Sequence, residues 1–303
     1  METDHITICI CTYQRQEMLK KLLMELNELK TESLFTVSIR IIDNDYQKSA
    51  LPVIREFKKK SKFPIQYLVE PQKSISFARN KGIEKSNSMI AFIDDDEFPG
   101  RDWLVNHYKI LKERKISGVL GPVIPYFDNK PEAWLVKSKL CDRKSYPSGH
   151  VLHWSHTRTG NVLLTKELMN DSEARFDTNY NMGGCDVDFF KRLMNKGHTF
   201  IWCNEAPVYE RVPLARQSKM YFCKRAFLQG CISLNYAFTK KNKTERAALL
   251  LKTTMAAAIY SLCLPLFRLT GTHVFMRYLV KDCHHIGRLL AMIGIRPVKN
   301  RYI

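Results

Sequence analysis

The chain has 303 residues, 45% hydrophobic and 26% charged, so it can bury a sizeable core and falls outside the disordered class. Its net charge of +18 is unevenly placed: residues 211–303 hold 17 Lys and Arg against two acids, Glu245 and Asp282, which leaves residues 1–210 near +3. Nine scattered cysteines without a CxxC pair argue against a disulfide framework and for a reducing compartment. The opening Met1-Glu2-Thr3-Asp4-His5 runs straight into a strand-like segment instead of a secretory signal, so a cytosolic catalytic part is expected.

Ile6 to Cys11 reads as a buried strand. Gln16 to Leu29 is helical, with Leu19, Leu22, Leu23, Leu26 and Leu29 at helical spacing. Val37 to Ile42 is a β-branched strand that stops at Asp43-Asn44-Asp45. A helix near Leu51 to Lys60, a strand at Ile65 to Val69, a helix at Ile75 to Ser86 and a strand at Met89 to Ile93 follow. Trp103 to Arg114 is helical and Gly118 to Pro122 a strand, while residues 125–159 mix Pro, Trp, His and charge without period and read as an irregular loop region. Gly160 to Leu164 is strand-like, Asp186 to Lys196 helical, and Thr199 to Cys203 is expected to be the last strand of the sheet. Alternating strands and helices with short connections predict a mainly parallel sheet covered on both faces. Ligands of such sheets bind beyond the carboxyl ends of the strands, where Asp43 and Asp94 both fall.

Three segments carry chemistry. Asp94-Asp95-Asp96-Glu97 places four carboxylates directly after a buried strand, where their repulsion would be offset by a hard divalent cation. A solvated acidic turn is the bland alternative. Asn181-Met182-Gly183-Gly184-Cys185-Asp186 gives a close-approach glycine loop ahead of a helix. There Asp186 is either a simple N-cap or a general base for an acceptor hydroxyl. In Ser76-Phe77-Ala78-Arg79-Asn80-Lys81, Arg79 suits a diphosphate or the nearby carboxylates, unless it is only a solvated helix residue.

In this order the segments resemble glycosyltransferase family 2, inverting enzymes of the GT-A fold. Ile8-Cys9-Ile10-Cys11-Thr12-Tyr13-Gln14-Arg15 is similar to the family's opening strand and its T-[FY]-N-R turn. Ile41-Ile42-Asp43-Asn44-Asp45 matches the second strand, and Ala78-Arg79-Asn80-Lys81-Gly82 matches a subgroup segment A-R-N-x-G. The aspartate cluster matches the DxD-type metal site, and Gly183-Gly184-Cys185-Asp186 with Arg192-Leu193 stands where relatives carry G-G-E-D and a D-x-F-x-R-L helix.

The resemblance covers roughly residues 6–230 and implies an α/β fold with a Rossmann-like mixed sheet. It implies a GT-A catalytic domain over residues 1–230, followed by a basic, helical, membrane-associating region over 231–303. Thr12, Tyr13, Arg15, Asp43, Arg79, Asp94 and Asp95 are then expected on the nucleotide donor, and Asp94 and Asp96 on Mg²⁺ or Mn²⁺, with Asp186 as the base. Glu210, Cys185 and Asn161 are further candidates. Two positions depart from the family: Cys185 replaces the usual Glu, and Glu210 stands where relatives often have His. The subgroup it most resembles builds bacterial exopolysaccharides, succinoglycan-type glucosyltransferases among them. A nucleotide-sugar donor, UDP-linked by preference, and a lipid-linked or oligosaccharide acceptor are implied.

The basic region points to lipid. Ala247 to Phe267 has one formal charge, Lys252, over a length that permits a bilayer crossing. Lys252, Thr253, Thr254, Ser261 and Pro265 favour shallow or re-entrant insertion instead. Phe275, Leu279, Cys283, Ile286, Leu290 and Ile293 share one helical face opposite Arg277, Lys281, His284 and Arg288, the layout of an interfacial helix on anionic lipid. The alternative is a helix packed on the protein with a solvated basic face. The expected location is the cytoplasmic face of the inner membrane, peripheral or monotopic. Competing classes are a nucleic-acid binder, which leaves the acidic strand ends unexplained and shows no RNP or zinc-finger pattern, an inactive membrane scaffold, and a nucleotidyltransferase on a similar fold. No nucleic-acid partner is expected.

Overall fold

The computed structural model describes residues 3–84, 86–180, 183–238 and 242–295. In chain order the elements are β1 (Asp4–Thr12), α1 (Gln16–Asn27), β2 (Phe35–Asp43), α2 (Leu51–Phe57), β3 (Ile65–Val69), α3 (Ile75–Ile83), β4 (Met89–Ile93) and β5 (Glu97–Pro99). Then come α4 (Trp103–Glu113), β6 (Gly118–Leu120), β7 (Val123–Tyr126), α5 (Ala133–Ser138), β8 (Asn161–Leu164), α6 (Cys185–Asn195), β9 (Phe200–Trp202) and β10 (Val208–Arg211). Helices α7 (Lys219–Phe238), α8 (Lys243–Leu269) and α9 (Thr272–Met292) complete the chain.

The chain divides into two compact units, Met1–Tyr126 with Arg143–Arg211, and Phe127–Asp142 with Val212–Ile303. This division differs from the one expected at residue 230, for a local reason. Helix α7 runs without interruption through Gly230 and Cys231, so no boundary can fall there. The 127–142 segment, with α5, joins the C-terminal helices in space.

In the first unit a seven-stranded sheet has the order β3-β2-β1-β4-β8-β6-β9. The alternating residues of β1 explain its central place. Ile6, Ile8 and Ile10 pack towards α1, α2 and α4, while Cys9, with Ile90 and Phe92 of β4, packs towards α3 and α6. A strand covered on both faces is apolar throughout. In α1 the buried residues are Leu19, Leu22, Leu23 and Leu26, each contributing about 1.5–3 kcal/mol by leaving water. β8 runs antiparallel to both β4 and β6, so the sheet is mixed. Periodicity could not show this, because Val162, Leu163 and Leu164 are buried whichever way the strand runs.

A second sheet, β5-β10-β7, was not anticipated: β7 opens the stretch read as irregular, and β10 follows the strand expected to be the last. Each of its strands has only three or four residues, too few for a period to register. Its register sets Glu210 opposite Glu97, and it thereby returns β10 to the acidic turn after β4.

The two sheets meet around a buried polar hub. The Asn161 amide donates to the carbonyls of Pro122 (2.9 Å) and Ala206 (2.8 Å), while its oxygen accepts from Trp103 Nε1 and from His107 Nε2, each at 2.8 Å. His107 Nδ1 is buried with no partner among the described residues. Burial pushes the imidazole down to about 4 from 6.5, so it stays neutral with its proton on Nε2. Between these two values the unfolded chain binds a proton that the folded chain refuses. Stability present above pH 6.5 should therefore drain away as pH falls towards 4, by about 3 kcal/mol over the whole window. Urea unfolding across that range should show a flatter profile for His107→Gln, which keeps a donor but cannot titrate; an unchanged profile would exclude His107 as the source.

In the second unit Trp134, Leu135, Phe222 and Met276 form a core that Phe275 and Leu279 extend. Helices α7 and α9 touch backbone to backbone. A Cβ on Gly287 would lie 2.5 Å from the Phe227 carbonyl oxygen, and one on Gly230 would strike the His284 carbonyl. The apolar face of α9 is thus turned largely towards the protein, with Cys283 buried on it and Ile293 left exposed at its end. Arg277, though exposed, donates to the carbonyls of Lys137 and Ser138, and the half-buried Arg288 donates to Ser233 Oγ. This is the packed alternative for α9, not the lipid-facing one. Helix α8 differs: among the described residues it alone is long and apolar enough to cross a membrane. Leu251, Met255, Ile259, Leu262, Leu266 and Leu269 follow one another at three- and four-residue steps, and all are exposed, Leu269 to 84%.

Candidate active site

The carboxyl ends of β1, β2 and β4 form one rim because parallel neighbours end together. Thr12, last in β1, is in register with Asp43, last in β2. Asp43 is fully buried: its carboxylate accepts from Tyr67 Oη and the Ala50 amide, both at 2.8 Å, and from the Asp45 amide at 3.2 Å. Asn44 donates to the Glu70 and Gln72 carbonyls and accepts from the Ser74 amide. Asp43 and Asn44 therefore tie the loop after β2 to the loop after β3 and to the start of α3. Asp43 supports the rim from beneath.

Thr12 Oγ donates to Asp95 (2.8 Å), and Arg15, at the head of α1, reaches Asp95 (2.8 Å) and Asp96 (3.2 Å). The Lys73 ammonium lies 4.4 Å from the Tyr13 ring centroid. Asp95 is pushed up to about 6, by burial first and then by Asp96, with Arg15 and Thr12 opposing. Asp94 has a different partner. It is 46% open to solvent and lies 3.7 Å from Arg79. Its own amide donates to the Glu97 carboxylate (3.1 Å), and the Glu97 amide returns a bond to the Asp94 carbonyl (3.1 Å), which closes the acidic turn. Burial, then the Asp94 charge, holds Glu97 well above the ordinary carboxylate range.

Gly160 is the point of closest approach. A Cβ there would sit 2.6 Å from Glu97 Oε1 and 3.1 Å from Asp94 Oδ2, so only glycine leaves these oxygens in place.

Arg79 joins the acidic turn to α6. Its guanidinium reaches Asp94 on one side and Cys185 Sγ on the other (3.3 Å), over the Phe176 ring. Burial would depress it, but Cys185, Asp94 and Asp186 hold its pKa up. The turn into α6 needs its glycines: Gly183 and Gly184 have φ of +116° and +90°, values that side chains rarely adopt. Asn181 and Met182, at the head of that motif, lie outside the described residues. Asp186 occupies the first turn of α6, its carboxylate accepting from the Val187 amide (3.0 Å).

Arg79 thus links Asp94 to Cys185, the residue before Asp186, while Thr12 and Arg15 contact Asp95 and Asp96 on the rim. Glu210 enters through β10 and pairs with Arg143. Asn161 instead has its side chain committed to the fold. Sequence reasoning passed over Glu97 as an individual site residue, and over Arg143, Arg158 and Gly160. The last three lie in or directly after the aperiodic stretch, where a glycine just ahead of a strand was the only signal. Among the described residues no group of three or more His, Cys, Asp or Glu is gathered to hold a metal ion by itself. All nine cysteines are free.

A mixed α/β sheet with acidic groups and a glycine-led helix at its rim defines a nucleotide-diphospho-sugar transferase fold of the GT-A type. The sequence matches Glycosyl transferase family 2 over residues 7–176, and the chain belongs to that family of glycosyltransferases. It is 27% identical to the succinoglycan biosynthesis protein ExoM of Rhizobium meliloti (strain 1021), over 98% of this chain and 96% of that protein. Among solved structures it shares its fold with S. aureus TarS 1-349 in complex with UDP-GlcNAc (TM-score 0.54, 11% identity, 96% and 92% of the two chains). It also shares it with the mannosyltransferase PcManGT from Pyrobaculum calidifontis in complex with GDP-Man and Mn²⁺ (TM-score 0.60, 15% identity, 94% and 86%).

Proposed function

We propose that this glycosyltransferase moves a sugar, with inversion, from a nucleoside-diphosphate donor to a saccharide acceptor in exopolysaccharide or surface-polymer synthesis. The observation that carries this reading is Arg79, a buried cation touching Asp94 of the acidic turn and Cys185 beside Asp186. It links a place suited to a diphosphate with a carboxylate suited to take a proton. The near full-length likeness to ExoM supports the polymer, and the fold shared with proteins holding UDP-GlcNAc and GDP-Man supports the donor class.

Asp94 and Asp96 would hold Mg²⁺ or Mn²⁺. Two hard carboxylates are a small ligand set, which suits a cation that takes its remaining ligands from substrate phosphates and water. When bound, the cation neutralises charge on the departing diphosphate. Arg79, which lies against Asp94, would bind and orient that diphosphate. Asp186 takes the proton of the attacking hydroxyl as the new C1–O bond forms and the bond to the diphosphate breaks, its electron pair leaving with the phosphate. Thr12, Tyr13 and Arg15 form the nucleoside side of the rim, and Asp43 acts through the loop it holds. Glu210, through Arg143, sets the charge behind the acidic turn, and Cys185 fixes Arg79.

The test is ligand-dependent melting. UDP-, GDP-, dTDP- and CMP-sugars are each added with and without Mn²⁺. One donor should raise the melting temperature with the metal, and Asp94→Asn should abolish most of that increment. No shift with any donor would remove the reading.

The apolar stripe of α8 supports a bilayer as the second partner, because its flanks carry Lys243, Arg246, Lys252 and Arg268, suited to anionic headgroups. The helix would lie in the interface on the cytoplasmic face and meet a lipid-linked acceptor there. Sedimentation with phosphatidylglycerol vesicles should recover the wild type, and Leu262→Glu with Leu266→Glu should weaken binding more than tenfold. Equal recovery of both, or a concentration-dependent dimer in place of vesicle binding, would discard the bilayer.

A further inference from the structure

Helices α7 and α9 ascend together in the second unit. Phe222 shares a core with Met276, Phe227 lies against Gly287, and Ser233 Oγ accepts from Arg288. Helix axes ordinarily pack about 8–10 Å apart, too far for most cysteine pairs to bridge. Gly230 and Gly287 remove that separation, since a Cβ on Gly287 would lie 2.5 Å from the Phe227 carbonyl oxygen. Cys223 and Cys283 each stand four residues before the Phe227–Gly287 contact, one helical turn back on the same face. The backbone contact therefore sets the two thiols against each other, and they hydrogen-bond.

The pair is unequal. Cys223 is half-buried, whereas Cys283 is only 5% exposed. The bond from the Cys283 thiol holds Cys223 below the usual cysteine range, against the effect of burial. The same bond, and then burial, holds Cys283 above that range. Cys9, Cys11 and Cys203 are also raised, by burial first, which leaves them poor nucleophiles. A more acidic, accessible thiol beside a buried second thiol suits two-electron oxidation: the first sulfur attacks the oxidant, and the second resolves the product.

We propose that Cys223 and Cys283 are a peroxide-reactive dithiol site whose oxidation to a disulfide locks α7 against α9. The Cys223 thiolate attacks one peroxide oxygen, the O–O bond breaks, and the hydroxide that leaves takes up a proton as water. Cys223 is then a sulfenic acid. The Cys283 sulfur attacks it, the S–O bond breaks, and the departing hydroxide carries off the Cys283 proton as a second water. Two thiols have lost two electrons and the peroxide has gained them. In a reducing compartment the pair rests as thiols, and the disulfide is transient. The site stands independently of the glycosyl-transfer reading.

The full chain is treated with equimolar hydrogen peroxide, blocked with iodoacetamide, digested and mapped by mass spectrometry. The Cys223–Cys283 peptide should be the main cross-link, two of the nine thiols should disappear, and dithiothreitol should restore them. Because the cross-link restricts the unfolded chain, the oxidised protein should melt higher than the reduced one. Cys283→Ser should strand Cys223 as a sulfenic acid, labelled by dimedone about tenfold more strongly than in the wild type. Cys223→Ser should give neither cross-link nor label, and Cys263→Ser should behave like the wild type. Preferential cross-linking of other cysteines, or a Cys223–Cys283 link that forms only in urea, overturns the proposal, and either result is read on the wild type without any variant having to fold. A link formed with oxidised glutathione but not with peroxide would overturn it as well.

Discussion

Asp186→Asn should fold and melt like the wild type yet lose glycosyl transfer by about 10²- to 10⁴-fold, the contribution typical of a positioned base. The substitution preserves shape, and the asparagine oxygen can still accept from the Val187 amide, the bond the carboxylate makes in the first turn of α6. What disappears is a negative charge near a helix N-terminus, worth about 0.3–1 kcal/mol of stability, and the capacity to take a proton. The two effects separate cleanly, since donor-dependent melting should persist while turnover collapses. Near-wild-type transfer by the variant would return Asp186 to the role of a helix-cap residue. A variant that also loses donor binding would show that the charge acts through Arg79 and not on the acceptor hydroxyl.

Asn161→Ala should have the largest effect on stability. Removing the amide leaves Trp103 Nε1, His107 Nε2 and the carbonyls of Pro122 and Ala206 without their partner in a site that water does not reach. Each stranded group costs about 1–3 kcal/mol. Even with partial relaxation the loss should be on the order of 4 kcal/mol, a large fraction of the 5–15 kcal/mol that keeps a domain folded. The variant should therefore be recovered in low yield or melt far earlier. If its melting temperature is close to wild type and only transfer is impaired, the hub interpretation is wrong and Asn161 acts on substrate. His107→Gln serves as a milder companion, because it keeps a donor towards Asn161.

How much of this was legible beforehand depends on the length over which a signal repeats. The helical spacing of Leu19, Leu22, Leu23 and Leu26 marks α1 without ambiguity, since a buried face must recur every three or four residues. The run Ile6 to Cys11 announces a doubly covered strand. β5, β7 and β10 span only three or four residues each and gave no period, so the second sheet went unseen, and with it the pairing that sets Glu210 opposite Glu97. Helix α9 shows the opposite error. Its amphipathic pattern was real, but a pattern does not say whether the apolar face meets lipid or protein, and here α7 and α5 cover it. The candidate site divides in the same way. Asp94, Arg79 and Asp186 lie in motifs whose order along the chain marks the family, whereas Arg143 and Arg158 sit in a stretch with no period and no motif.

The sequence by itself determined the α/β class, the family and the set of acidic and glycine-led turns, because local pattern and motif order are properties of a linear string. The tertiary structure alone decided which of those residues face one another. β8 reverses direction and β10 returns to β5, so Gly160, Arg158 and Glu210 are folded onto a turn more than sixty residues earlier in the chain. Such closeness follows from strand pairing across long loops, and no segment of the chain carries it alone.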